Sequence, residues 1–128
     1  MRYLLDTHTL LWWWDNDPRL STRCREIMGD ARNTLFVSAV SALEIAIKFR
    51  IGQLPQMAGR IDLYEGGLIE DGLSRLPIST EHGLRAGLLD AEHRDPFDRV
   101  LAAQALVEDL TLLTRDSRIP AFGCKVLW

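Results

Sequence analysis

Cysteine, lysine and long apolar runs are scarce in this chain of 128 residues, and each scarcity excludes a class of protein. Two cysteines, Cys24 and Cys124, are too few for a four-cysteine zinc site and indicate no disulfide framework. No apolar run reaches the length of a membrane span, and the opening residues lack the apolar stretch and cleavage site of a secretory signal. We therefore expect a cytoplasmic protein with reduced thiols.

Positive charge is not in excess either, because the net charge at pH 7 is −3. The basic residues are unusual in kind, since thirteen are Arg and only two, Lys48 and Lys125, are Lys. Arg binds phosphate through a planar fork and stacks on bases. A GC-rich genome would produce the same bias. The composition therefore permits RNA binding without arguing for it.

What the chain does have is the composition of a soluble globular protein, with 47% hydrophobic and 26% charged residues. Its length predicts one domain over residues 1–128. Short apolar runs predict strands at residues 2–5, 35–37, 75–78, 111–114 and 125–127. Between them, the pattern predicts helices at residues 7–14, 21–29, 41–50, 60–71, 80–89 and 96–109.

This alternation indicates parallel βαβ units, and strands that are apolar throughout suit a sheet covered on both faces. The helix over residues 60–71 is uncertain, because Gly66 and Gly67 interrupt it. Pro77 indicates that the strand over 75–78 lies at an edge of the sheet. The fold class is therefore α/β, and ligands are expected beyond the carboxyl ends of the strands.

Four acidic residues are predicted to meet at that carboxyl edge. Asp6 follows the first strand directly, and Asp116 follows the fourth strand by two residues. Glu44 and Asp98 lie in the first turns of helices that begin at the same edge. Clustered acids repel one another, and a divalent cation neutralises them. An oxygen-ligand pocket of this kind favours Mg²⁺ or Mn²⁺ over zinc and indicates a metal-dependent nuclease.

Each acid also has a purely structural interpretation. Asp6 would cap the helix that follows it, and Ser41 with Glu44 has the spacing of a capping box. Asp95 would be an N-cap, and Asp98 would complement the helix dipole. Asp116 would be an ordinary turn residue. The coincidence of all four at one edge is what favours a site.

Neighbouring polar residues have the positions of supporting groups, and the chain offers no convincing Ser-His-Asp or Cys-His set. Four hydroxyl side chains are candidates to hold metal waters or brace carboxylates: Thr7, Ser38, Ser41 and Thr114. Two arginines, Arg99 and Arg115, are candidates to meet phosphate oxygens. We expect the three histidines to be dispersed and exposed: His8, His82 and His93.

Four stretches of the chain resemble the successive motifs of PIN-domain proteins. They are Leu4–His8, Val37–Lys48, His93–Arg99 and Leu113–Asp116. The segment Asp-Pro-Phe-Asp-Arg from Asp95 onward, followed by an Ala-rich helix, is the most specific of them. The likeness is greatest to the VapC-type toxin ribonucleases of bacterial and archaeal type II toxin–antitoxin pairs.

This resemblance implies a three-layer α/β/α sandwich with a mostly parallel sheet of four to five strands. It also implies a Mg²⁺-dependent endoribonuclease, a homodimer, and a small antitoxin that covers the active site and forms a larger hetero-oligomer. The acidic positions of the family correspond to Asp6, Glu44, Asp98 and Asp116. Asp95 is given a capping role first and a place near the metal second. The stretch 52–74 carries no motif of the family.

Two other functions stay open on the sequence alone. Asp6-Thr7-His8 after a strand faintly resembles the nucleophile loop of an aspartyl phosphotransferase or phosphatase, although position 8 lacks the second acid of that chemistry. A non-catalytic module could use the acidic edge to hold a cation or a basic partner. The consecutive Trp12, Trp13 and Trp14 cannot all face one core, so we expect at least one at a dimer or antitoxin contact, unless a folded-back loop covers it.

Overall fold

Five short parallel strands form the centre of the computed structural model, which describes all 128 residues. The strands are β1 (Arg2–Leu5), β2 (Thr34–Ser38), β3 (Ser74–Leu76), β4 (Thr111–Leu113) and β5 (Val126–Leu127). Their order in the sheet is β3-β2-β1-β4-β5, and every pair is parallel. The predicted sheet is confirmed, and it is wholly rather than mostly parallel.

Six α-helices connect and cover the strands. They are α1 (Thr7–Trp14), α2 (Thr22–Gly29), α3 (Ala39–Arg50), α4 (Tyr64–Glu70), α5 (Thr80–Leu88) and α6 (Pro96–Val107). Short 3₁₀ turns occupy Pro55–Met57, Ile61–Leu63 and Ile119–Phe122. None of these helices combines the length and the apolar character needed to cross a bilayer.

Alternate residues of β1, β2, β4 and β5 enter two separate cores, which gives three layers. Tyr3 and Leu5 pack with apolar residues of α1, α2, α3 and α4 on one face of the sheet. Leu4 packs on the opposite face with α6 residues such as Leu101 and with Phe122 of the last 3₁₀ turn. Burial on both faces explains why the strands are apolar throughout. The α/β/α sandwich is therefore confirmed.

The register of the sheet determines which residues emerge together at its carboxyl edge. Leu5 is paired with Val37 of β2 and with Leu113 of β4. The chain runs outward from β1 through β2 to β3 and then crosses to β4 on the other side. The space beyond the ends of β1 and β4 is thus a topological switch point, where open parallel sheets bind ligands.

Three local predictions need correction. Helix α3 begins at Ala39 rather than residue 41, because the Ser38 hydroxyl caps it by accepting a hydrogen bond from the Val40 amide. The proposed Ser41–Glu44 capping box is therefore wrong. The helix predicted over 60–71 is a 3₁₀ turn followed by α4, which continues through the two glycines. The 3₁₀ turn at Ile119–Phe122 was not predicted, whereas the edge position of β3 is confirmed.

Candidate active site

One cleft at the carboxyl edge contains all four predicted acids. It has a volume of about 570 Å³ and lies where β1, β4, α3 and α6 present their ends. Five acidic side chains line it: Asp6, Glu44, Asp95, Asp98 and Asp116. Four basic side chains also line it: Arg19, Lys48, Arg115 and Arg118. The cleft therefore combines a carboxylate cluster with a set of cations, and only one of its thirteen lining residues is hydrophobic.

Asp6 is held by β4 rather than by the helix that it precedes. It occupies the N-cap position of α1, but its side chain makes no capping hydrogen bond. Its Oδ2 instead accepts a hydrogen bond of 2.7 Å from the Thr114 hydroxyl, which in turn accepts one from the Asp116 amide. Burial raises the pKa of Asp6 above its usual value. The capping interpretation of this side chain is therefore wrong.

Glu44 is buried with one oxygen unpaired. The residue is only 4% exposed, and its Oε2 accepts a hydrogen bond of 2.6 Å from the Lys48 ammonium. Its Oε1 is buried and has no hydrogen-bond partner. Nearby, the Thr7 hydroxyl donates to the Ser41 hydroxyl at 2.8 Å and so ties α1 to α3. A buried carboxylate oxygen without a partner is costly unless something binds it.

Asp98 is paired with His93, a residue that the sequence predicted to be exposed. Its Oδ2 lies 2.7 Å from Nε2 of His93, and both side chains are about nine-tenths buried. Burial raises the pKa of Asp98 to about 6, although the hydrogen bond to His93 lowers it. Ligand atoms of His93, Asp98 and Asp116 all lie within 4.8 Å of one another. The prediction of an exposed, isolated His93 is therefore wrong.

A second histidine is also buried, but for a structural reason. His82 forms a capping box with Ser79 at the start of α5, and its Nε2 lies 2.9 Å from Glu108. Only His8 is exposed as expected. A signal for His93 was present in the sequence, since it lies five residues before Asp98, in the loop that leads to the carboxyl edge.

The remaining two acids have defined partners. The Arg118 guanidinium donates two hydrogen bonds to Asp116, which lowers the pKa of that carboxyl below its usual value. Asp95 caps α6, as predicted, by accepting hydrogen bonds from the amides of Phe97 and Asp98. Asp116 is therefore ionised at neutral pH, and one oxygen of Asp95 is committed to the helix end.

Arg99 does not face the cleft, which corrects the expectation that it meets phosphate. Its guanidinium donates to the backbone oxygens of Ala86, Ala91 and His93, at 2.9, 3.2 and 2.9 Å. It also donates to the oxygens of Gly87 and Leu89. Arg99 therefore binds the end of α5 and the following loop, the loop that carries His93.

Arg115, unlike Arg99, lines the cleft and is free to bind a ligand. It follows β4, is exposed, lines the cleft, and makes no hydrogen bond or ion pair within the protein. Ser38 was expected to support the acids but caps α3 instead. Of the expected supporting groups, Thr114 binds Asp6 directly, whereas Thr7 and Ser41 bind each other.

The residues of the cleft fit a hard divalent cation. The unpaired Oε1 of Glu44 lacks the hydrogen bond that a buried carboxylate oxygen requires. Burial raises the pKa values of Asp6 and Asp98, and neighbouring carboxylates raise them further; a bound cation would favour the ionised forms. Carboxylate oxygens suit Mg²⁺ and Mn²⁺, and Nε2 of the nearby His93 is already bound to Asp98.

A comparison of the sequence with protein-family models identifies the family of this chain. The PIN domain model matches residues 3–123. The chain belongs to the PIN domain family. No curated protein matches the chain.

Several solved structures share this PIN fold at low sequence identity. A chain of VapBC2 from Rickettsia felis, solved with a DNA fragment from its promoter, is 20% identical with a TM-score of 0.69, covering 100% of this chain and 99% of that one. A chain of VapBC-1 from nontypeable Haemophilus influenzae is 18% identical with a TM-score of 0.65, covering 99% and 97%. A chain of a toxin–antitoxin complex from Klebsiella pneumoniae is 18% identical with a TM-score of 0.61, covering 98% of this chain and 96% of that one. At these identities the likeness is one of fold.

The raised pKa of Asp98 makes the stability of the metal-free PIN domain depend on pH. Between 3.8 and about 6 the folded protein retains a proton that the unfolded chain has released, so the free energy of unfolding falls as pH rises through this window. Asp98→Asn should reduce this slope, to which Asp6 also contributes, and raise the free energy of unfolding at neutral pH by about 2–3 kcal/mol. Urea unfolding in EDTA from pH 4 to 8 measures both. Glu26→Gln, which removes an exposed acid, should keep the wild-type slope, and an unchanged slope in Asp98→Asn would contradict the assignment.

His93 should affect metal binding more than folding. Replacing it with Gln removes the group that orients Asp98, and such partners typically contribute a factor of about ten or more in metal affinity. Calorimetric titration of Mn²⁺ into His93→Gln should show this loss. His8→Gln removes an exposed imidazole of the same cleft that has no acidic hydrogen-bond partner, and its affinity should stay within about twofold of wild type. Equal losses in the two variants would argue against a specific His93–Asp98 pair.

Arg99 should act on stability and on the order of the loop before α6. Arg99→Met removes a charged donor from several carbonyl oxygens and should lower the free energy of unfolding by roughly 2–4 kcal/mol. Amide hydrogen exchange should also accelerate across residues 86–94. Arg94→Met, an exposed change in the same loop, is the control. Unaltered exchange in Arg99→Met would show that the loop is held by other contacts.

Proposed function

We propose that residues 1–128 form one nuclease domain, a Mg²⁺- or Mn²⁺-dependent endoribonuclease that acts as the VapC-type toxin of a type II toxin–antitoxin pair. The observation that carries this proposal is the convergence of Asp6, Glu44, Asp98 and Asp116 from four segments in one cleft. Membership of the PIN family supports nuclease activity, and the fold shared with chains of toxin–antitoxin complexes supports the toxin role.

The four acids are the groups that would hold the cation. When bound, the cation would polarise the phosphodiester, lower the pKa of the attacking water and stabilise the leaving oxygen. Asp6 is fixed by Thr114, and Asp98 is oriented by His93, so neither side chain has to reorganise when RNA enters. Glu44 contributes the oxygen that has no partner within the protein.

The basic side chains of the cleft suit the phosphates on either side of the scissile bond. Lys48 and Arg118 are each paired with an acid, which holds their charge at a fixed place beside the cluster. Arg115 has no such partner and can bind a phosphate oxygen directly. The net charge of the lining is close to balanced, five acids against four bases, so a bound cation makes the cleft attractive to RNA.

The proposed partners follow from the same fold. We expect a homodimer in the cytoplasm and a cognate antitoxin that joins it in a larger hetero-oligomer, as suggested by neighbours solved as toxin–antitoxin complexes. Large exposed apolar side chains supply surface for such contacts. They include Leu63, Ile69, Leu84 and Leu88, which are 67%, 61%, 64% and 81% exposed. Trp12, Trp13 and Trp14 are each half-buried, so none is fully committed to the core.

The phosphotransferase alternative is less well supported by the geometry. Its nucleophile would be Asp6, which is buried and bonded to Thr114, while the neighbouring His8 points outward and is exposed. A cation-binding module without catalysis uses the same cleft, so only an activity measurement separates it from the nuclease.

The test is cleavage by the purified, partner-free chain with Mg²⁺ or Mn²⁺ and a panel of RNAs. Asp6→Asn and Asp98→Asn should each reduce cleavage by at least about 10²-fold, since each removes a charge that the cation needs, while the fold is kept. Single-turnover rates on end-labelled RNA, with circular dichroism for folding, measure this.

Glu26→Gln is the matched control, because it neutralises an acid outside the cleft and should cleave at the wild-type rate. Normal cleavage by either Asp variant would place the active centre elsewhere. Metal binding without turnover on any RNA would favour the non-catalytic module, and covalent labelling of Asp6 by a phosphoryl analogue would favour the phosphotransferase.

A further inference from the structure

The cleft has an aromatic wall that the carboxylate chemistry does not use. His8 and Trp12 lie one turn apart on α1, and both line the cleft together with the acids. Trp12 is half-buried, and it packs against the core of the α1 face while part of it borders the cleft. An indole that is the one hydrophobic lining residue of a polar cleft is not explained by metal binding.

Cationic and aromatic groups surround the Trp12 ring. The Arg19 guanidinium lies 4.9 Å and the Arg115 guanidinium 5.8 Å from the ring centroid. The rings of His8 and Trp128 are each 5.7 Å away. Guanidinium groups and aromatic rings are the side chains on which nucleobases stack.

Arg19 and Arg115 differ in whether another side chain of the protein binds the guanidinium. Arg19 is held by a double hydrogen bond to Asp17, at 3.0 and 2.7 Å, so its guanidinium is fixed beside the indole. Arg115 makes no hydrogen bond or ion pair within the protein. It lies two residues after β4 and directly precedes Asp116 of the acid cluster. Its charge is thus available for a ligand that also reaches the cluster.

Trp14, two residues along the same helix, differs from Trp12 because its N–H and its ring both have partners within the protein. Its Nε1 donates a hydrogen bond of 2.7 Å to Asp71, and its ring packs edge-on against Tyr64. The arginine beside it, Arg60, is paired with Asp15. The indole N–H of Trp12 has no hydrogen-bond acceptor in the protein and is not enclosed, so it can meet a ligand.

We propose that Trp12, with Arg19 and Arg115, forms a subsite for one unpaired nucleobase of the RNA, beside the phosphate that is cut. The base stacks on the indole, and Arg115 binds a phosphate of the same nucleotide. This inference rests on the proposed endoribonuclease function and names the side chains that would recognise one base of its substrate. A base-paired nucleotide cannot present its face to the indole, because its neighbours in the duplex cover it.

The experiment combines a protein change with an RNA change. The RNA is an unstructured strand that the wild type cuts, compared with the same strand carrying an abasic nucleotide on either side of the cut. Removing the stacked base should lower kcat/KM of the wild type roughly tenfold on one side only, mainly through KM. Trp12→Leu should lose a similar factor on the normal strand and nothing further on the abasic one. Annealing the complementary strand should suppress cutting by the wild type.

Matched controls are Trp14 of the same helix and Arg60, the arginine that lies over its ring. Trp14→Leu and Arg60→Gln make the same chemical changes outside the cleft and should stay within about twofold of wild type in KM. Arg115→Gln should raise KM, and it should flatten the dependence of log Kd on log salt by about 0.7, the contribution of one phosphate contact to a single strand. Because Arg115 is exposed, this variant reports on the subsite even if Trp12→Leu fails to fold.

The outcomes separate this subsite from the nuclease function itself. Equal sensitivity of wild type and Trp12→Leu to the abasic nucleotide overturns the subsite, and so does equal cutting of single-stranded and duplex RNA. If the wild type cuts no RNA, fluorescence anisotropy of labelled oligo(U) in Mg²⁺ replaces kinetics. Weaker binding by Trp12→Leu and Arg115→Gln than by their controls then supports the subsite although the nuclease has failed. Equal binding by all four variants overturns it.

Discussion

Burial of carboxylates in one cleft is the constraint on which this structure depends. The cleft brings five acids together, and burial raises the pKa values of two of them, Asp6 and Asp98, with a further contribution from neighbouring carboxylates. Four of them are compensated individually, Asp6 by a hydroxyl, Asp98 by an imidazole, Asp116 by a guanidinium and Glu44 by an ammonium on one oxygen. The other oxygen of Glu44 stays unpaired. The protein thus stabilises the cluster incompletely, and a cation is the natural complement.

The sheet explains how such a cluster arises from residues far apart in sequence. Parallel pairing of β1 with β4 brings Asp6 beside Thr114, and the two helices that start at the same edge add Glu44 and Asp98. The hydroxyl of Thr114 then links two acids, since it donates to Asp6 and accepts from the Asp116 amide. The site is therefore a property of strand register and helix direction, both determined by the apolar cores.

Reasoning from sequence reached the parts of the site that regular structure determines. Strand ends and helix starts follow from apolar periodicity, so the carboxyl edge and the arrival of Asp6 and Asp98 could be predicted. The partners of those acids could not. His93 and the carbonyl oxygens bound by Arg99 lie in an irregular loop, whose side-chain directions no periodicity encodes. Ser38, and not Ser41, caps α3, because this helix begins two residues earlier than its apolar pattern indicates.

The contacts of Arg99 have a further consequence for this cleft. The loop that positions His93 has no helix or strand of its own, and a single planar cation gathers its carbonyl oxygens. A guanidinium keeps its charge throughout the range in which carboxyl groups gain and lose protons. The contacts that Arg99 makes with this loop therefore do not change over that pH range. When the acids of the cleft gain protons, the charge that remains there is the positive charge of its four basic side chains, while the loop that carries His93 keeps its anchor.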